Sequence, residues 1–188
     1  MKQPVGILLA AGQATRFGSN KLLHPMSDGS PMVVVAARAM QAVLGRVVVV
    51  IREEGILASV LQIASAEILI CPTADAGMGA SLACGISFTS DANGWVIALG
   101  DMPFIQPDTI RTVVDALQEG AAMVAPVFPD GRRGHPVGFS AEWRSALSSL
   151  CGEDGARKLL WKHRARLHQV PTQDMGCLRD VDIPADLE

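Results

Sequence analysis

No two cysteines in this sequence stand close enough for a CxxC pair, and no zinc-site spacing occurs. The four present, Cys71, Cys84, Cys151 and Cys177, are scattered through 188 residues, 49% of them hydrophobic. A chain of that size and apolarity needs no disulfide framework, so reduced thiols and a cytoplasmic protein are expected. Excess positive charge is also missing. The net charge is -3 with no evident basic face, which argues against a dedicated nucleic-acid binder. No apolar run approaches a membrane span, so no membrane partner is expected either. Lys2 followed by VGILLAAGQA faintly resembles a secretory leader, but cleavage there would remove the clearest strand-and-loop signal in the chain. Catalytic arrangements are missing too. There is no convincing Ser–His–Asp, Cys–His or HExxH pattern, and no marked pair of glycosidase carboxylates.

What is present is an alternation of strands and helices. VGILLA (5–10), RVVVVI (46–51), EILIC (67–71), GWVIALGD (94–101) and AAMVAPVF (121–128) read as strands. Between them, PMVVVAARAMQAVL, GILASVLQIAS, MGASLACGISF and QPDTIRTVVDALQEG read as helices. The last is well formed: Pro107 suits its first turn, Ile110, Val113, Val114 and Leu117 share a face, and Gly120 stops it. Continuous apolar strands between helices imply a three-layer α/β/α domain with a mostly parallel sheet. After Phe128 the pattern changes. GRRGHPVGFS reads as a turn and short strand, followed by helices near 141–150 and 154–165, the second capped by Asp154-Gly155. RLHQVP (166–171) is a late strand and IPADLE a terminal turn. The expectation is one domain over 1–188, in two parts near 1–128 and 129–188, the last third appended to the sheet.

Ligands of such sheets bind outside the carboxyl ends of the strands. The first stretch on that edge is LLAAGQATRFGSNKLL, from Leu8 to Leu23. It is neither a Walker A loop, because Gly12 and Gly18 are too far apart and two residues separate Gly18 from Lys21, nor a GxGxxG loop. Its small residues let backbone N–H groups approach an anion, with Arg16 and Lys21 as counter-charges; an ordinary turn with solvated charges is the other reading. ALGDMPF sets Asp101 at a strand end, where a carboxylate holds Mg²⁺ or simply shapes the turn before Pro103. GMGASLACG suits close contact with a ligand or close helix–sheet packing. GRRGHP is a phosphate-facing turn or a hairpin tip. In RDVDIPADL, at most one of Asp180 and Asp182 is expected to join Asp101.

Together these stretches resemble a known family. LAAGQATRFGSNKLL looks like the LAxGxxxRxGxxK loop of the nucleotidyltransferases that include the molybdenum-cofactor enzymes, the MobA-like NTP transferases. The order loop, GMGASL, ALGDMPF, GRRGHPVGF, GEDGARKLL, DVDIPADL is similar to the CTP:molybdopterin cytidylyltransferase branch, over nearly the whole chain. Leu9-Ala10-Ala11-Gly12 follows the cytidylyl pattern rather than LAGG. Ile183 departs from the usual threonine of D-x-D-T-P. The resemblance implies a Rossmann-like nucleotide-diphospho-sugar transferase fold. It implies CTP and molybdopterin as substrates, Mg²⁺ or Mn²⁺ as cofactor, and a molybdoenzyme or its chaperone as recipient. It places Leu9, Ala10, Ala11, Gly12, Arg16, Lys21, Gly79, Ser81 and Asp101 at the nucleotide. Arg16, Lys21 and Asp101 would be catalytic, Asp101 and Asp182 would bind metal, and Gly134 and His135 would border the acceptor. A related enzyme using GTP or a phosphosugar, and a non-catalytic nucleotide or cofactor carrier, are the alternatives.

Overall fold

The structure, a computed structural model, describes residues 3–12 and 20–187. Its strands are β1 (Val5–Leu9), β2 (Val47–Ile51), β3 (Glu67–Ile70), β4 (Gly94–Leu99), β5 (Met123–Val127), β6 (Val137–Ser140) and β7 (Leu167–Pro171). Among the described residues these form one sheet in the order β3-β2-β1-β4-β6-β5-β7. Only β6 runs antiparallel to its neighbours, β4 and β5; the other pairings are parallel. The chain moves outward from β1 to β2 and β3, then returns to place β4 on β1's other side. That reversal opens a crevice between the carboxyl ends of β1 and β4, where ligands of such sheets bind.

The central strands are apolar throughout because both of their faces are covered. Alternate residues divide the core in two. Leu8, Val49, Ile51, Val96, Ala98 and Val124 face the layer of α1 (Met32–Gln41), α2 (Ile56–Ile63) and α4 (Pro107–Gln118). Ile7, Leu9, Val48, Val50, Ile97, Ala125 and Phe139 face the layer of α3 (Met78–Phe88), α5 (Arg144–Ser148) and α6 (Arg157–Lys162). Trp95 is fully buried in this second core. Its indole N–H donates to Thr89 Oγ1 at 2.9 Å, and that hydroxyl donates to the Gly85 carbonyl at 2.8 Å, so the buried polar atoms are paired. No helix among the described residues is long and apolar enough to cross a membrane.

The last third differs in detail from the sequence reading. The helix expected near 141–150 is a 3₁₀ turn, Ala141–Trp143, running into the five residues of α5. The helix expected over 154–165 shortens to α6. Gly152 (φ 73°) and Gly155 (φ 51°) adopt left-handed backbone conformations that delay its start. Asp154 does not cap it, because its carboxylate binds Lys158 Nζ at 2.6 Å and the N-cap residue is Ala156, which makes no side-chain cap.

Leu8 is fully buried at the centre of the sheet. Leu8→Ala should cost about 2–5 kcal/mol, through lost transfer energy and a residual cavity. Urea denaturation should show a lower midpoint at unchanged m-value; an unshifted midpoint would contradict this core assignment.

Candidate active site at the β1–β4 crevice

The crevice is built from the two strand ends. Ala10 N–H donates to the Val50 carbonyl and Gly100 N–H to the Leu9 carbonyl, both at 2.8 Å, which extends the pairing one step past each strand. Ala10 and Ala11 are buried, whereas Gly12 faces open space: a Cβ built there would meet nothing within 4 Å. The chain re-enters at Asn20, whose side chain accepts from Leu22 N–H at 3.2 Å and starts a 3₁₀ turn over Lys21–Leu23. Leu22 is buried and anchors this turn, so the Lys21 side chain points back across the crevice.

There Lys21 Nζ lies 2.8 Å from Asp101 Oδ2 and 2.8 Å from Asp182 Oδ1. Burial works against the ammonium, but hydrogen bonds and charge from both carboxylates outweigh it and raise its pKa above the ordinary value. Asp182 arrives from the late segment. Val181 is fully buried and its N–H donates to the Asp101 carbonyl at 2.9 Å. The Asp186 carboxylate accepts from the N–H groups of Asp182 and Ile183 at 2.8 and 2.9 Å and curls the segment. Asp180 is exposed and does not join this pair; its charge acts on His135.

Seven expected residues, Leu9, Ala10, Ala11, Gly12, Lys21, Ser81 and Asp101, line one cavity of about 440 Å³. That size suits a small-molecule ligand. Arg16 falls outside the described residues. Gly79 is not part of the lining. Its N–H donates to the Gly152 carbonyl at 2.7 Å, and an added Cβ would lie 2.7 Å from the Cys151 carbonyl oxygen. Of the two readings open in the sequence, close packing describes this glycine. Gly134 and His135 also lie outside the cavity, across β4 on the same sheet edge. An added Cβ on Gly134 would sit 2.6 Å from the Cys177 carbonyl oxygen, and His135 N–H donates to that carbonyl at 2.9 Å. Burial holds the His135 pKa below the ordinary value despite a hydrogen bond with the Ile97 carbonyl, and the ring's Nδ1 is buried without a partner.

The lining also contains Arg52 and Glu153, which sequence reasoning passed over, and Asp75 and Met78, from the Asp75–Ser81 stretch that it placed on this edge without naming either as a site residue. Arg52 donates from Nε and Nη2 to the Ala11 carbonyl at 3.2 and 3.0 Å, and forms an ion pair with Asp75. Nothing in VIREEG marks it beyond its place at the carboxyl end of a buried strand.

Among the described residues no group of three or more His, Cys, Asp or Glu side chains is placed to hold a metal ion. The available set for a cation is Asp101 and Asp182. Asp101 Oδ1 is buried and unpartnered. Two carboxylates that already share a cation, with a spare buried oxygen, fit a hard divalent ion that draws its remaining oxygen ligands from substrate phosphates and water.

Residues 6–167 match the family described as the MobA-like NTP transferase domain. The chain belongs to this family. It is 29% identical to the purine catabolism protein PucB of Bacillus subtilis, over 100% of this chain and 97% of that protein. It is 32% identical to the bifunctional protein GlmU of Cereibacter sphaeroides over 77% of this chain, which spans only 36% of that longer protein. The crystal structure of Rv0371c from Mycobacterium tuberculosis superposes with a TM-score of 0.81 at 26% identity, covering 98% of this chain and 95% of that one. Rv0371c has also been solved in complex with manganese. The seven-stranded sheet is thus the nucleotide-diphospho-sugar transferase fold, in a family of nucleotidyltransferases.

For this MobA-like domain, Lys21→Ala leaves two carboxylates facing each other without a cation. The expected cost is about 1 kcal/mol, or about 2–4 °C in melting temperature. Adding Mg²⁺ or Mn²⁺ should recover it. A calorimetric scan in which the metal ions leave the variant's melting temperature unmoved would show that the carboxylates do not take a divalent cation.

Proposed function

We propose that this protein transfers CMP from CTP to the terminal phosphate of molybdopterin, forming the cytosine dinucleotide and releasing pyrophosphate. The observation that carries this reading is the Lys21 ammonium, which lines the cavity with Asp101, Ala11, Gly12 and Ser81 and pairs with both Asp101 and Asp182. A nucleotide binder needs a cradle for phosphates. A nucleotidyltransferase also needs cationic charge for the leaving group and carboxylates for a divalent ion, and this cavity brings those residue types together.

The reaction joins two anions. An oxygen of the acceptor phosphate forms a bond to the α-phosphorus of CTP. The bond from that phosphorus to the β-phosphate oxygen breaks, and its electron pair leaves with pyrophosphate. The nucleophile is already charged, so the chain's work is alignment and neutralisation rather than proton removal. Gly12 lines the cavity, and its N–H would suit a phosphate oxygen. Lys21, with Arg16 from the same loop, would move onto the β- and γ-phosphates and hold the leaving group. Asp101 and Asp182 would then hold Mg²⁺ or Mn²⁺, which when bound supplies charge stabilisation at the phosphates. Ser81, buried in the first turns of α3, borders the base and ribose in this reading. His135, kept neutral by burial, borders the acceptor.

Cytosine rests on the Ala10-Ala11-Gly12 resemblance, and molybdopterin on the family pattern. Relatives as different in name as PucB and GlmU make donor and acceptor the points to test. Pyrophosphate release should be fastest with CTP, and should depend on molybdopterin. Equal or greater turnover with GTP, or turnover with a phosphosugar in its place, would overturn the assignment. Asp101→Asn should lower turnover by about 100-fold or more while leaving the fold intact. A wild-type protein that binds CTP with Mg²⁺ yet never releases pyrophosphate would be a carrier.

A further inference from the structure

Among the described residues, Arg52 is the one guanidinium in the cavity lining, and the role of the phosphates does not account for it. Its position follows from the sheet. β1 and β2 pair in parallel with Leu9 opposite Val50, so two residues further on Ala11 stands opposite Arg52. Val48 and Val50 face the α3 layer, and Arg52 continues that alternation onto the same side. From there the side chain reaches across the end of β1. Nε and Nη2 both donate to the Ala11 carbonyl oxygen, at 3.2 and 3.0 Å, and Nη1 pairs with the Asp75 carboxylate from the turn that precedes α3. Three of the guanidinium's five N–H groups are thus engaged by protein groups on both walls of the cavity.

Its carbonyl partner is the informative one. Ala11 is 5% exposed and lies beyond the last ladder hydrogen bond of β1, and among the described residues only Arg52 donates to its oxygen. In a trans peptide the carbonyl and the following N–H point in opposite directions. Turning the Ala11 carbonyl toward Arg52 therefore turns Gly12 N–H away from it. No described residue accepts from that N–H, and among the described residues nothing lies within 4 Å of a Cβ built on Gly12. A positively charged donor on the carbonyl also polarises the peptide and strengthens the N–H as a donor.

We infer that Arg52 is a positioning residue for the nucleotide site: it fixes the Ala11–Gly12 peptide plane so that Gly12 N–H is presented to a phosphate oxygen, with Asp75 holding the guanidinium in place. The inference rests on the reading of this cavity as a nucleoside triphosphate site, but not on which base or acceptor is used. Lysine cannot replace the fork. An ammonium supplies the charge and three donors from a single point, without the planar fork that reaches the Ala11 carbonyl with two N–H groups and Asp75 with another.

The test uses inorganic tripolyphosphate as probe, so that it reads the site whether or not the proposed reaction occurs. Wild type, Arg52→Gln and Arg52→Lys are compared by calorimetric titration. The Gly12 amide is followed by ¹H–¹⁵N NMR, and melting temperature is recorded for each protein. Both variants should bind tripolyphosphate about 10-fold more weakly, with melting temperatures within a few degrees of wild type, and both should lose the tripolyphosphate-induced shift of the Gly12 amide. With CTP as substrate, the same loss should appear mainly in KM. Undiminished binding in Arg52→Gln would overturn the inference. So would full recovery in Arg52→Lys, which would make Arg52 a direct charge contact to phosphate. A Gly12 amide that shifts as in wild type in Arg52→Gln would overturn it too. If wild type binds tripolyphosphate but turns over no nucleotide, the transfer reading fails while the role of Arg52 is still decided.

Discussion

Two carboxylates that meet in a partly buried crevice repel one another unless a cation lies between them, and the site is organised around that requirement. Lys21 supplies the cation at 2.8 Å from both Asp101 and Asp182. Three distant pieces of chain must be fixed for this to happen. Leu22 is buried beside Lys21 and sets the turn that aims the ammonium. Gly100 bonds back to Leu9 and sets Asp101 beside β1. Val181 is buried and bonded to the Asp101 backbone, which brings Asp182 alongside. The attraction gains little net stability by itself, since the ammonium pays for desolvation and Asp182 is half exposed. In the proposed reaction, its consequence is a place where one cation would be exchanged for another, as metal-assisted phosphoryl transfer requires.

The fold explains why this place lies where it does. Strand order reverses between β1 and β4, so no crossover helix covers their carboxyl ends. Small residues close the floor: Ala10 and Ala11 are buried and Gly12 opens into the cavity. The neighbouring strand adds Arg52, which gives the Ala11 carbonyl a donor where the ladder has ended. On the other side, β6 inserts antiparallel between β4 and β5, and the turn before it carries Gly134 and His135 to the same edge. The nucleotide-facing and acceptor-facing groups of the proposed reaction are therefore separated by β4 and meet at Asp101.

Much of this was legible in the sequence because it is local. β-Branched runs such as VVVVI can only be buried strands here, and Pro107 with Gly120 bounds α4 through backbone restrictions that act within a few residues. The loop after β1 and Asp101 could be placed on one edge by the rule for parallel sheets alone. What was not legible depends on non-local pairing. GRRGHPVGFS reads as a turn and a strand, but nothing in it says that the strand lies between β4 and β5. Gly79 could equally have met a ligand; the Cys151–Gly152 backbone, far along the chain, decides for packing. Nothing local in the sequence marks Arg52, and its place in the cavity exists only once Ala11 and Asp75 are beside it. The choice of Asp182 over Asp180 likewise depends on Val181 being the residue that turns inward.

The account's central claim is that the Asp101–Asp182 pair gives up Lys21 for a divalent cation that arrives with the nucleotide's phosphates. Electron paramagnetic resonance of Mn²⁺ tests this most directly, by measuring bound metal in wild type with and without CTP, and in Asp101→Asn. The account predicts weak Mn²⁺ binding to the free protein, strong binding when CTP is present, and loss of that enhancement in Asp101→Asn. Mn²⁺ binding that is unchanged by CTP, or that survives intact in Asp101→Asn, would contradict it.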